Sequence, residues 1–166
     1  MQTGYFKIFV GAVLLLPLFF LSGCAQTELQ REHSAMIIWK SPAFRYADMG
    51  FVSDSGSRLQ VEIYGSGTAL MRLKIDADSI CMSRFSCMSK ERFNREFLSA
   101  SYPDDTLENI FRGQPLFGGR SLVKKRNGFT QKIQKSNTYH IVYTVSTNQI
   151  IFRDTIKQIV IKVIKQ

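Results

Sequence analysis

Apolar and polar residues alternate one by one along much of this chain. Leu59, Val61 and Ile63 interleave with Gln60, Glu62 and Tyr64. After Gly65-Ser66-Gly67, Met71, Leu73 and Ile75 interleave with Arg72 and Lys74. A period of two sorts side chains onto opposite sides of a pleated strand, so each stretch predicts a strand with one buried and one wet face. The Gly-Ser-Gly between them predicts a hairpin turn. Residues 36–39 open the patterned region, Ser41-Pro42 breaks it, and residues 43–53 predict another strand. Alternation resumes beyond Pro115. Phe129, Gln131 and Ile133 lead to a Ser136-Asn137 turn. Tyr139, Ile141, Tyr143 and Val145 then alternate with His140, Val142 and Thr144, residues 149–153 run extended, and Ile159, Ile161 and Val163 end the pattern.

Between these regions the period changes. Ser89 is placed to cap a helix in which Phe93, Phe97 and Leu98 share a face. Asp105-Thr106-Leu107-Glu108 reads as a capping-box-like start with Asp as the cap. Leu107, Ile110 and Phe111 follow at helical spacing, and Gly113 supplies the stop. The expected order is three strands, two short helices, then three or four strands. That order predicts an α+β protein, mainly antiparallel β. A single curved, open sheet of half-barrel form would wrap around the helices, which would cover its concave face.

The N-terminus has its own pattern. Residues 8–20 are almost wholly apolar, Lys7 is the only charge before them, and the run closes in Leu21-Ser22-Gly23-Cys24. A short apolar run ended by small residues and Cys reads as a bacterial lipobox, with Cys24 the point of lipid attachment. The expected organisation is a signal peptide over 1–23, a lipidated tether over 24–35 and one folded domain over 36–166. Ala25, in place of an Asp, favours the outer membrane, with the domain facing the periplasm.

Charge sharpens this picture. The chain of 166 residues carries a net charge of +9. Residues 120–166 hold ten Lys/Arg and only Asp154 against them, so the C-terminal third carries the whole excess. Its run Lys124-Lys125-Arg126 is a candidate basic surface for anionic headgroups, an envelope glycan or an acidic partner. Nucleic acid is not expected as a partner in the implied compartment. Cys81 and Cys87 remain after Cys24, and an oxidising location permits a disulfide between them. Neither His33 nor His140 sits at metal-ligand spacing to them, so no metal site is expected. No nucleophile elbow, phosphate loop or calcium loop occurs. The expectation is a monomeric binding protein without cofactor, not an enzyme.

Four stretches resemble the LolB family of outer-membrane lipoprotein receptors. They are the entry from Trp39 to Phe51, the strand–glycine turn–strand unit from Arg58 to Ile75, the paired helices ending in Phe111-Arg-Gly-Gln-Pro115, and the closing strands from Arg126 to Ile164. The resemblance implies a curved half-barrel plugged by helices that accepts lipoprotein acyl chains from a periplasmic carrier of LolA type. It places the acyl-chain cavity among Val61, Ile63, Met71, Leu73, Tyr139, Ile141 and Tyr143, with Phe97, Leu107, Ile110 and Phe111 as the lid. It makes Gly65, Ser66 and Gly67 the membrane-transfer loop. The family presents an exposed Leu at that tip; here Ser66 stands in its place, and Leu70 is the nearest apolar substitute. The alternative reading is a structural or adaptor lipoprotein that docks its partner through the basic C-terminal third.

Overall fold

The computed structural model of the protein describes residues 31–83 and 86–166. Six strands come first: β1 (Arg31–Lys40), β2 (Arg45–Asp54), β3 (Leu59–Gly65), β4 (Thr68–Ile75), β5 (Ser79–Met82) and β6 (Ser86–Ser89). Two short helices follow, α1 (Lys90–Phe97) and α2 (Thr106–Arg112), then a 3-10 turn at Phe117–Gly119. Five more strands complete the fold: β7 (Leu122–Lys125), β8 (Gly128–Lys135), β9 (Tyr139–Ser146), β10 (Gln149–Asp154) and β11 (Ile159–Lys165).

The eleven strands form one open sheet in the order β6-β5-β4-β3-β2-β1-β11-β10-β9-β8-β7, and every pairing is antiparallel. Each half of the chain is a meander, because short turns between alternating strands can only bring the next strand back alongside. The halves meet where β1 pairs with β11, from Ala35 opposite Lys165 to Lys40 opposite Val160. β6 and β7 therefore lie at opposite edges. Ten inter-strand steps of about 4.8 Å put those edges on the order of 48 Å apart along the sheet. Residues 90–121, which hold both helices, must cross one face to join them.

Register identifies that face. Trp39 lies opposite Ile161, which lies opposite Phe152, which lies opposite Tyr143. On the other side of β1, Val52 lies opposite Val61, which lies opposite Leu73. All of these side chains are buried, and with Phe93, Leu107, Ile110 and Phe111 from the helices they make one core. We call this the inner face.

Three expectations need correction. The first strand begins at Arg31, inside the polar stretch assigned to the tether, because β2 pairs with it as far as Arg31 opposite Asp54 and Glu32 accepts a hydrogen bond from Ser53 Oγ at 2.7 Å. Six strands precede the helices, not three. β5, β6 and later β7 are each only four residues long, too short for a period of two to show. Asp105 does not cap α2. Its backbone is already helical (φ −79°, ψ −1°), and its carboxylate accepts from Asn109 Nδ2 at 2.9 Å.

Cys81 and Cys87 lie directly opposite each other on β5 and β6 and form a disulfide. A loop this short contributes roughly 2 kcal/mol by restricting the unfolded chain. Ser66 (φ 52°) and Gly67 (φ 79°) both take left-handed backbone, the paired geometry of a tight hairpin turn.

Gly50 lies on β2 opposite Ala35 of β1 and Ile63 of β3. A Cβ there would collide with the Glu62 carbonyl oxygen and come within 2.8 Å of Ile37 Cδ1. Gly67 faces open space, so a methyl there meets only the left-handed penalty. Gly50→Ala should cost about 2–3 kcal/mol and Gly67→Ala about 1 kcal/mol, read from urea midpoints at constant m. Equal losses at the two positions would contradict the close strand approach.

Candidate functional site

The candidate site is the seat of the two helices on the inner face. Local chemistry sets the ends of both. Ser89 caps α1, its Oγ accepting from Arg92 N at 3.2 Å. Gly113 ends α2 in left-handed backbone at φ 68°. Between the helices, Asn94 Nδ2 donates to the Pro103 carbonyl at 2.9 Å and fixes the connecting loop against α1.

The seat is largely aromatic. Phe97 stacks on Phe44 with centroids 5.0 Å apart, and Phe93 lies 4.9 Å from Phe97. Trp39 meets Phe44 edge-on at 5.3 Å and Phe111 at 6.0 Å. Leu107 and Ile110 are fully buried beside them. Side chains of this kind contribute roughly 1.5–3 kcal/mol each on burial, so apolar contact dominates the hold on α2.

Polar ties add position. Tyr143 OH donates to the Asn109 carbonyl at 3.2 Å. Lys90 Nζ reaches Glu108 at 2.6 Å and joins α1 to α2. Arg112 donates to the Gly56 carbonyl at 2.7 Å and pairs with Asp54 and Glu108 at 3.3 and 3.2 Å. Burial holds the Tyr143 phenol above its ordinary pKa range.

Two buried polar residues pin the segment on either side of α2. Asp154 is almost fully buried on the inner face. Its Oδ1 accepts from the backbone amides of His140, Ile156 and Lys157, and its Oδ2 accepts from Tyr102 OH at 2.5 Å. Burial, then the bond to Asp154 and its charge, raise the Tyr102 phenol well above its ordinary range. Gln131, fully buried, grips Leu116 at both N–H and carbonyl, at 2.8 and 2.9 Å, and donates to the Arg120 carbonyl at 2.8 Å. The stretches just before and just after α2 are thus bonded to the sheet by buried side chains. α2 rests between those pins.

The seat also holds unsatisfied groups. Trp39 Nε1, Asn94 Oδ1, Thr106 Oγ1 and Arg112 Nε are buried with no hydrogen-bond partner among the described residues. Each such group costs on the order of 1–3 kcal/mol.

The residues expected to line a cavity come together here. Val61, Ile63, Met71, Leu73, Tyr139, Ile141 and Tyr143 lie buried on the inner face, and Leu107, Ile110 and Phe111 lie buried against it, with Phe97 half-buried at the margin. They form one buried apolar layer between the sheet and the helices. A recess of about 150 Å³ lies beside α2 and is lined by Arg31, His33, Val52, Asp54, Leu59, Phe111, Arg112 and Lys165. Burial, then the Lys165 charge, hold the His33 imidazole below its ordinary range.

The other expected sites lie apart. Ser66 tips the β3–β4 hairpin. Leu70, 56% exposed, folds beside Gly65, where its side chain would meet any Cβ added to that glycine. Lys124 and Lys125 lie on β7 and Arg126 in the turn after it, all exposed. Lysines on an edge strand discourage pairing with another chain, so these residues have a structural use where they stand. Cys24 lies outside the described residues. Among the described residues no group of three His, Cys, Asp or Glu side chains gathers where an ion could be held.

Sequence reasoning did not single out Tyr102, Asp154, Gln131 or Arg112 as parts of the seat. The available signal was a polar residue in the buried phase of a strand: Gln131 between Phe129 and Ile133, and Asp154 two residues after Phe152.

Tyr102→Phe should cost about 2 kcal/mol by removing a hydrogen bond to a buried charge, measured by denaturant unfolding. A loss below about 0.5 kcal/mol would show that Asp154 does not hold the inter-helix loop. Comparison with known proteins adds no relative: no family model matches the chain, and no curated protein matches it.

Proposed function

We propose that this protein is a lipid-anchored envelope receptor of LolB type, which takes up acyl chains between the inner face of its sheet and the helix segment. On this reading the open sheet curls into a half-barrel and the lipid on Cys24 holds the domain at the outer membrane, facing the periplasm. The chain accepts lipoprotein acyl groups from a soluble carrier and passes them to the bilayer. The Cys81–Cys87 disulfide is consistent with an oxidising compartment. Leu70, exposed beside the Ser66 tip, is the side chain that would enter lipid at release.

One observation carries this reading. A continuous apolar sheet face is covered by helices of only eight and seven residues, in a segment pinned at Tyr102 and Leu116 but seated between them mainly by apolar contact. Three apolar side chains on α2 contribute roughly 5–9 kcal/mol to that cover. An acyl chain of about 15 methylenes brings about 12 kcal/mol at 0.8 kcal/mol each, measured from water. An acyl chain is therefore able to take the place of α2. Unsatisfied polar atoms in the closed seat, Thr106 Oγ1 and Arg112 Nε of α2 among them, reduce the cost of lifting it. Because the cargo arrives already buried in a carrier, transfer is a near-balanced exchange, and small differences in affinity set its direction.

Trp39 is the only tryptophan and lies fully buried at this seat, so it reports on occupancy. Titration with dibrominated stearate should quench its emission saturably, because bromine quenches on contact, while unbrominated stearate should compete. A folded protein whose Trp39 emission ignores brominated chains would sink the proposal.

A further inference from the structure

The sheet has a second face. The strand residues that hold the helical segment, Trp39, Tyr143, Asp154, Gln131 and Asp54, lie on the inner face. Register assigns the alternate residues to the outer face. Met36 lies opposite Met49 and Ile164, Ile38 opposite Ala47 and Lys162, Ile151 opposite Lys162, and Phe51 opposite Glu62. Met36, Ile38, Ile151 and Ile164 are half-buried by their neighbours, whereas Met49 and Phe51 are 39% and 42% exposed. An apolar band thus runs across β2, β1, β11 and β10, and Phe51 meets Tyr64 of β3 edge-on at 5.7 Å.

Cations frame this band. From β4 to β10 across the sheet, the outer face carries Lys40, Arg45, Arg72, Lys74, Arg153 and Lys162, against only Glu32 and Glu62. Both acids are already engaged. Glu62 accepts from Arg72, from Tyr64 OH at 2.6 Å and from Gln60 at 2.8 Å, and Glu32 accepts from Ser53. Among the described residues, Lys40, Lys74, Arg153 and Lys162 have no ion-pair partner. A purely solvated face would have no need of the two exposed apolar side chains at its centre. An acidic protein would match the cations but not the smooth, wide apolar band. A layer of anionic headgroups over acyl chains matches both.

We propose that the outer face of the sheet docks flat on an anionic lipid bilayer. Phe51 and Met49 reach the headgroup boundary, and Lys40, Arg45, Lys74, Arg153 and Lys162 bind lipid phosphates. This orientation turns the helix-covered inner face away from the membrane and toward soluble partners. The docking does not depend on acyl-chain uptake, and either is able to fail while the other holds.

The test is a lysine-acetylation footprint of the full chain, read by mass spectrometry, on vesicles of phosphatidylglycerol mixed with phosphatidylcholine and on phosphatidylcholine alone. Lys40, Lys74 and Lys162 report on the outer face. Lys124, Lys135 and Lys165, whose register partners are inner-face residues, serve as internal controls. On the anionic vesicles alone, the outer lysines should react at least about fivefold more slowly while the controls are unchanged. Half-molar salt, with a Debye length of only about 4 Å, should restore the rates. Lys74→Glu with Lys162→Glu should abolish protection of Lys40, and Lys74→Gln with Lys162→Gln should weaken it if the reversed protein does not fold. Protection that is absent, uniform over both faces, or equal on neutral vesicles would overturn the docking. Quenching of Trp39 by brominated stearate in the same preparation reads the inner face separately.

Discussion

The pairing of β1 with β11 is the constraint on which the rest of the structure depends. It joins the first and last strands of the described chain in the middle of the sheet, over register pairs running from Ala35–Lys165 to Lys40–Val160. With the centre fixed, each half of the chain meanders outward, and the two ends of the helical segment fall at opposite edges. The segment has no route but across a face. That face becomes apolar because the strands bury every second residue against it. The cover is thin because the crossing leaves room for only two short helices.

Energetics follow from this layout. The strand ladders and the inner-face layer form a continuous cooperative block. The crossing segment is fastened by specific polar pins at Tyr102–Asp154 and Gln131–Leu116, with α2 lying between them on apolar contacts and a few surface-side ties. A region with this combination opens more readily than a strand ladder, since lifting it breaks few backbone hydrogen bonds. Meanwhile the opposite face, without a contact from α1 or α2 among those described, displays unpaired cations around a band of Met, Ile and Phe. The two faces of one sheet are thus chemically distinct. One is apolar and closed by the helical segment, and the other carries cations around exposed Met49 and Phe51.

Much of this was legible in the chain. Leu59, Val61 and Ile63 announce a strand because period two is kept without interruption, and the Ser89 cap and Gly113 stop are local chemistry that needs no distant partner. Other features resisted. β5, β6 and β7 are too short to display a period, and the polar start of β1 is extended because β2 pairs with it, not because its residues favour a strand. Asp105 was a plausible cap on residue type, yet its backbone joins the helical region and its carboxylate turns to Asn109. For Gln131 and Asp154, a polar residue in a buried phase was visible. Their partners, Leu116 and Tyr102, lie 15 and 52 positions away, and only the topology brings them together. The outer face needed register as well: strand alternation separates two faces, but only the pairing shows which cations and which apolar residues share one.

The central claim is that α2 is a displaceable cover on a stable apolar sheet. Native-state hydrogen exchange of the backbone amides of α2 against those of β1 and β11 tests it most directly. The α2 amides should exchange through a local opening, at a free energy at least about 2 kcal/mol below that of the central strands and insensitive to low denaturant. Exchange of α2 only through global unfolding, with the same free energy and denaturant slope as β1 and β11, would contradict it.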